Sequence, residues 1–152
     1  MKFTIQQSTL QQGLQTISGV VPTKSTTPVL ENILFEADDQ GLTITGTDLE
    51  VSVSTTVEIS DMQDSGAIAL PAKVIIEMIR SLPDIPVAFE MKEAGQITIT
   101  TNKGVYQIGG VSRDQDRQVT ALFESSGFEL EIVLAGQGSR QVVELLGLGA
   151  ID

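Results

Sequence analysis

Apolar and polar residues alternate strictly along several short segments of the chain, and this pattern constrains the fold more than any other feature. In LTITGTD, residues 42–48, leucine and isoleucine alternate with threonine. Because successive side chains of a strand point to opposite faces, such a segment predicts a strand with one buried and one solvated face. The same period recurs in LEVSVST, VAFEM, QITITT and VYQIG, and PVLENILFEA and MKFTIQ are interpreted as further strands. Short turns rich in Gly, Asp and Asn separate several of these segments, which indicates antiparallel sheets.

Two segments follow the period of an α-helix instead. The first, STLQQGLQTISGVV at residues 8–21, has Ser8 as its predicted N-cap and a glutamine-rich opposite face without a single charge. Its apolar stripe is formed by Leu10, Leu14, Ile17 and Val21.

The second helical segment is PAKVIIEMIRSLP, residues 71–83, which starts and stops at prolines. Its apolar stripe is Val74, Ile75, Met78, Ile79 and Leu82, and its opposite face carries Lys73, Glu77 and Arg80. The order of strands and helices predicts an α+β fold, in which antiparallel sheets carry two helices on one side.

The charge balance and the missing residue types exclude several functions. The chain has 152 residues and a net charge of −11, so as a whole it repels nucleic acid and anionic membranes, and any phosphate contact must be local. It contains no cysteine and no histidine, which excludes disulfides, a thiol nucleophile, the usual zinc sites and an imidazole base. The N-terminal segment is not a signal peptide and no apolar run reaches membrane-spanning length, so we expect a cytoplasmic protein.

Two patterns could indicate an enzyme, but each has a simpler interpretation. GQGSRQ at 136–141 resembles part of a dinucleotide-binding fingerprint, yet Gln141 stands where the third glycine belongs. Neighbouring carboxylates could form a catalytic pair, although aspartates in turns and glutamates on solvated strand faces are common without one. These carboxylates are Asp38 with Asp39, Asp48 with Glu50, and Glu129 with Glu131.

The few basic residues give a more specific indication. Lys24 lies in a loop bracketed by Pro22 and Pro28, while Lys73 and Arg80 share the outer face of the second helix. Taken alone, these residues favour an ordinary solvated surface. The uncharged glutamine face of the first helix would also suit a surface that passes close to phosphates.

The composition changes after Gly110. Residues 111–126 are polar and charged, which is typical of a linker, and residues 127–152 resemble the opening of the chain again. We predict a strand from Phe128 and a helix through Val142, Val143 and Leu146, so the domains would be 1–110 and a truncated second unit at 127–152. A unit of one strand and one helix cannot close its own core, so we expect a longer natural protein.

Residues 1–110 resemble a known family. The residues that carry the resemblance are GTDLE, LPAK and the loop PTKSTTP, each in the expected order, together with MKFTIQQSTL and QITITTNKGVYQIGG. They are similar to the first domain of the bacterial DNA polymerase III beta subunit, the sliding clamp. The resemblance implies a DNA-clamp fold without catalytic activity or cofactor, and a homodimeric ring around duplex DNA. Helices would line the pore, and DNA polymerase III and the clamp loader would be partners of the full-length protein.

The resemblance also implies the site residues. Lys24, Lys73 and Arg80 would contact DNA phosphates independently of sequence, as a sliding protein requires. The strand with Lys103, Tyr106 and Ile108 would pair with the third domain of the other subunit, although one more buried strand would explain Tyr106 and Ile108 as well. The family usually continues past Gly110 with an acidic linker containing proline, whereas this chain has none there, and the pocket for partner peptides lies beyond the sequence given.

Three functional hypotheses therefore stand. The first is a DNA sliding clamp, the second is a non-catalytic protein-interaction module that uses exposed strand edges, and the third is an enzyme, for which we find no convincing nucleophile, base or metal set. A clamp requires Lys24, Lys73 and Arg80 on one concave side, whereas an interaction module does not.

Overall fold

The computed structural model describes residues 1–21, 31–48, 51–93, 95–112, 128–133 and 140–145. Two helices and twelve strands lie in these ranges. The helices are α1 (Gln7–Ser18) and α2 (Ala72–Ser81). The strands are β1 (Lys2–Gln6), β2 (Asn32–Asp38), β3 (Gly41–Thr47), β4 (Val51–Val57), β5 (Asp61–Asp64), β6 (Gly66–Pro71), β7 (Pro86–Glu93), β8 (Gln96–Thr101), β9 (Gly104–Gly109), β10 (Val111–Ser112), β11 (Phe128–Val133) and β12 (Arg140–Leu145).

The strands form two antiparallel sheets, which confirms the predicted α+β class. The first sheet has the order β5-β1-β7-β8-β9, and the second has the order β10-β6-β2-β3-β4-β12-β11. Both helices contact the second sheet, α1 through β3 and β4 and α2 through β2 and β6. The helices also pack against each other, so one helical layer covers this sheet.

One aliphatic core with a few phenylalanines joins the sheets and the helices. Phe89 of β7 stacks on Phe3 of β1 at 4.9 Å between ring centroids, and it meets Phe35 of the second sheet at 6.2 Å. Gly13 brings α1 close to the sheet, because a Cβ there would lie 2.9 Å from Cδ1 of Ile44 and 3.0 Å from Cγ1 of Val57. This close contact fixes the position of α1 on the sheet, and with it the position of the exposed face of the helix.

Two of the aspartates considered as catalytic have structural roles in turns. Asp38 Oδ1 accepts a hydrogen bond of 2.8 Å from the N–H of Gln40, in a turn that ends at Gly41 with φ +128°. Asp48 Oδ1 accepts one of 2.8 Å from the N–H of Val51, whose carbonyl also accepts the hydroxyl of Thr47. Short polar side chains that bond to nearby backbone are typical of turns, and this explains the GTD part of the GTDLE motif.

The predicted start of the first helix was wrong. The helix begins at Gln7 with Gln6 as its N-cap residue, and Ser8 lies inside the first turn rather than capping it. The carboxylate of Asp84 performs that task from elsewhere in the chain. The prediction also missed strands β5 and β6, and it placed Val74 on the buried stripe of α2, where its side chain is in fact 48 % exposed.

The predicted helix through Val142 and Val143 was wrong as well. These residues lie in strand β12, which pairs with β4 in a register that sets Val143 opposite Val53. β-Branched residues favour a strand, and the edge of β4 offers N–H and C=O groups that need partners. Strand β11 forms from Phe128 as predicted, whereas Leu146 lies outside the described residues. The division into domains at residues 110 and 126 stays a prediction.

Candidate nucleic-acid interface

Helix α2 presents two cations on one face. Lys73 and Arg80 are both exposed, and they lie two turns apart, which corresponds to about 10 Å along the helix axis. Glu77, also exposed, lies between them. Among the described residues, neither cation is within ion-pair distance of a carboxylate. Both side chains are therefore available to an anionic partner, while Lys24 lies outside the described residues.

Helix α1 lies beside α2 and carries no charge. Its sequence, QSTLQQGLQTIS, contains no acidic and no basic residue, although the chain as a whole has a net charge of −11. Gln12, Gln15 and Ser18 are exposed on it, as the glutamine-rich pattern predicted. An anion that approaches the α2 cations from this side meets no carboxylate on α1, so the two helices form a surface suited to phosphate.

A shallow groove of about 300 Å³ runs between the two helices. Its lining combines apolar side chains with amide, hydroxyl and guanidinium groups. The lining residues are Gln11, Leu14, Gln15, Ser18, Ile76 and Arg80. The groove places Arg80 next to the glutamine face of α1, a neighbourhood that the sequence pattern did not predict.

A buried glutamine joins the start of α1 to the end of α2. Gln7 is only 4 % exposed, and its Nε2 donates a hydrogen bond of 2.7 Å to the carbonyl oxygen of Ile79. The same Nε2 donates to Oε1 of Gln11 at 2.8 Å. The carbonyl of Ile79 also accepts the N–H of Leu82 at 3.2 Å, so Gln7 adds a second hydrogen bond to an acceptor in the last turn of α2. Sequence analysis missed this residue, because a glutamine at the start of a helix gives no signal that it is buried.

Asp84 fixes the start of α1 from the loop that follows α2. Its Oδ1 accepts hydrogen bonds from Nε2 of Gln6 at 2.9 Å and from the N–H of Ser8 at 3.1 Å. These donors, Gln6 first and Ser8 second, lower the pKa of Asp84 below its ordinary value. A negative charge near a helix N-terminus is also favourable to the helix dipole. The hydrogen bond from Gln7 to Ile79 and the bonds that Asp84 accepts thus join the start of α1 to the end of α2 and to the loop that follows it.

Strand β9 is the last strand of the first sheet, so its outer edge is open within the described residues. Lys103 is exposed in the preceding turn, Tyr106 is half-buried and Ile108 is buried. Val105 on the same strand is 64 % exposed, a feature that alternation alone did not single out. Such an edge can pair with another strand.

Other kinds of site find no support in the part of the chain that the structure describes. Those residues contain no cluster of acidic side chains that could hold a metal ion. No helix in the described ranges is long and apolar enough to cross a membrane.

Most of the chain matches one protein family. Residues 1–119 match the N-terminal domain of the DNA polymerase III beta subunit. The beta sliding clamp of Haemophilus influenzae is 39 % identical over 97 residues, which cover 62 % of this chain and 26 % of that protein. That of Halalkalibacterium halodurans is 27 % identical over 150 residues, covering 94 % of this chain and 40 % of the relative.

Solved structures agree with this family. The sliding clamp of Pseudomonas aeruginosa, crystallised with griselimycin, superimposes with a TM-score of 0.71 at 32 % identity, over 76 % of this chain and 31 % of the other. A DNA polymerase III beta subunit from Eubacterium rectale gives a TM-score of 0.70 at 31 % identity, over 76 % and 32 %. The chain therefore spans between about a quarter and two-fifths of the length of these proteins.

Proposed function

The chain belongs to the DNA polymerase III beta subunit family, and from that premise we propose that it acts as the first domain of a DNA sliding clamp. In this role it contributes part of a ring around duplex DNA and performs no catalysis. The ring tethers the replicative polymerase, so DNA polymerase III and the clamp loader are partners of the assembled protein. Duplex DNA is contacted without regard to its sequence.

One observation carries this proposal: two cations without an ion-pair partner among the described residues lie beside an uncharged helix in a strongly acidic chain. Lys73 and Arg80 share one face of α2, and α1 beside them has no charged residue. Lysine and arginine that bind phosphate release counterions and read no base, which allows a protein to slide. Lys24 completes this set of phosphate contacts in our proposal.

The open edge of β9 is the proposed contact with a second subunit. Tyr106 and Ile108 lie on this strand, Lys103 lies in the turn before it, and the exposed Val105 extends its apolar part. A strand added along such an edge gains backbone hydrogen bonds and continues the sheet from one subunit into the next. This arrangement supports a homodimeric ring in the assembled protein.

Titration of a labelled duplex with the purified chain tests the DNA role. We expect weak binding that falls steeply as salt rises and is equal for duplexes of different sequence. Binding that depends on base sequence, or no binding at low salt, would contradict the proposal.

A protein-interaction module without a DNA role is the second candidate, and the 64 % exposure of Val105 on an open strand edge favours it. In that case a strand-forming peptide would perturb β9, while duplex DNA would leave α1 and α2 unaffected.

A further inference from the structure

The hydrogen bonds at the start of α1 determine which end of the Gln7 and Gln11 side-chain amides is the donor. The carbonyl oxygen of Ile79 can only accept a hydrogen bond, so the atom of Gln7 that lies 2.7 Å from it must be Nε2. The second hydrogen of this Nε2 points to Gln11, whose contacting atom at 2.8 Å must therefore be an acceptor, Oε1. The N–H₂ group of Gln11 is then the end of the side chain that faces away from Gln7.

This orientation adds hydrogen-bond donors to the groove between the helices. Gln11 lines the groove, and no described residue accepts a hydrogen bond from its Nε2. Arg80 lines the same groove and is exposed, with up to five N–H donors of its own. The hydroxyl of Ser18 donates to the backbone carbonyl of Gln15, so it adds no further donor. The groove therefore has donors from both helices, and Leu14 and Ile76 add apolar lining.

We propose that Gln11, oriented by Gln7, and Arg80 together hold one phosphodiester group of the duplex DNA backbone in this groove. The inference rests on the proposed function and adds a neutral contact to its charged ones. A phosphate oxygen accepts hydrogen bonds and carries negative charge, which matches an amide N–H₂ beside a guanidinium. Among the described residues, no carboxylate lines the groove.

The amide and the guanidinium contribute differently to binding. Arg80 neutralises a phosphate and releases counterions, so its contact weakens as salt rises. Gln11 is neutral, so its hydrogen bond adds affinity that salt hardly changes. A neutral hydrogen bond is also modest in strength, which suits a contact that must break and re-form as the protein moves along DNA.

The test uses the whole chain labelled with ¹⁵N, in which the side-chain N–H₂ groups of glutamine and the Nε–H of arginine give separate NMR signals. A duplex of about twenty base pairs is titrated in one arm, and inorganic phosphate at the same phosphate concentration in the other. We expect the Gln11 N–H₂ and Arg80 Nε–H signals to shift together with the duplex, and to shift far less with inorganic phosphate.

Two near-isosteric variants supply the matched comparison. Gln11→Met removes the donors without adding a charge, and Gln96→Met makes the same change on an exposed glutamine of β8, in the first sheet and outside the groove. We expect Gln11→Met to weaken duplex binding about two- to tenfold with an unchanged salt slope, and Gln96→Met to bind as the parent chain does. Thermal melting of both variants checks that the fold is retained.

The outcomes separate this inference from the proposed function. Shifts at Arg80 without shifts at Gln11, together with normal binding by Gln11→Met, would overturn the inference and leave the DNA role standing. Equal losses in Gln11→Met and Gln96→Met would overturn it too, as would equal shifts with inorganic phosphate. The absence of any response of α1 and α2 to the duplex would overturn the proposed function itself, and the inference with it.

Discussion

Asp84 accepts a hydrogen bond of 3.1 Å from the backbone N–H of Ser8, 76 residues earlier in the chain. The first N–H groups of a helix have no partner within it, and here a loop from beyond the second helix supplies one. The same carboxylate oxygen accepts Nε2 of Gln6. The start of α1 is therefore fixed by the segment that follows α2, and the relative position of the two helices depends on this contact.

Replacing Asp84 with alanine should lower the stability of the chain in a pH-dependent way. The bonds from Gln6 and Ser8 hold the pKa of Asp84 below its ordinary value. A carboxylate with a lowered folded-state pKa stabilises the fold above its unfolded pKa, and this contribution disappears as the pH falls through the folded value. Thermal melting should show a lower Tm for Asp84→Ala than for the parent chain at pH 7, and a shrinking difference below about pH 4.

Asp39→Ala provides the control for this prediction, because Asp39 is exposed in a turn and forms no hydrogen bond with another described side chain. The same loss of Tm in both variants, or a difference that persists at low pH, would show that Asp84 is not a cap.

Gly41→Ala should destabilise the chain by about 2 kcal/mol or more, because alanine rarely adopts a positive φ. Gly41 has φ +128°, and a Cβ there would lie 2.6 Å from the backbone oxygen of Val57. Gly19→Ala is the matched change, since Gly19 has φ −70° and a Cβ there would have no neighbour within 4 Å. Urea unfolding of both variants checks this, and equal midpoints would contradict it.

Removing the cations of α2 should flatten the salt dependence of duplex binding. If Lys73 and Arg80 each contact a phosphate, the slope of log affinity against log salt should fall by about 0.9 per residue in the Lys73→Ala/Arg80→Ala variant. Adding Lys24→Ala to this variant should flatten the slope further by a similar amount. Folding should barely change, because exposed charges of this kind rarely contribute more than about 0.5 kcal/mol.

The matched control is Lys2→Ala/Lys92→Ala, which removes the same amount of charge from the first sheet. Lys2 and Lys92 lie near Glu90 at 3.9 Å and 4.0 Å, away from the helices. Titration at several salt concentrations should give this variant the parent slope. Equal slopes for the two double variants would mean that only net charge matters, and that Lys73 and Arg80 are ordinary surface residues.

The 152-residue chain should be a monomer or a weak self-associate. The open edge of β9 is proposed to pair with the third domain of another subunit, whereas this chain spans 31 % of the length of the Pseudomonas aeruginosa clamp. Any weak association should disappear in Val105→Lys, because a charge on an exposed strand edge opposes pairing. Val74→Lys, at the other exposed valine, should have no such effect. Light scattering that shows a stable dimer would contradict this prediction.

Strands β11 and β12 should open more easily than β3. Among the described strands, β12 joins this pair to the second sheet through β4, and β11 has a neighbour on one side alone. Strand β3 lies between β2 and β4 and contributes the buried Leu42 and Ile44 to the core. Hydrogen exchange should therefore be faster in Phe128–Val133 and Arg140–Leu145 than in Gly41–Thr47. Equal protection in the two regions would show that this pair of strands is an integral part of the sheet.

The sequence by itself determined the elements whose signal is local. Alternation gave the strands from β1 to β4 and from β7 to β9, because a strand that is half-buried must place every second side chain in the core. Helical periodicity gave α1 and α2 and the exposed positions of Lys73 and Arg80, since a helix turns its faces by a fixed angle per residue. The family resemblance could also be recognised from the sequence, because each of its motifs is a contiguous segment.

Only the tertiary structure decided which residues meet across the chain. Gln7 is buried where it bonds to the end of α2, and Ser8 is not the cap because the helix already begins at Gln7 and Asp84 accepts the N–H of Ser8. Val142 and Val143 lie in a strand because β4 offers an edge to pair with, although their local pattern fits a helix as well. In each case the deciding partner is far away in sequence. Periodicity indicates which face of an element is buried, but it does not indicate which element covers that face or which hydrogen-bonding group lies next to it.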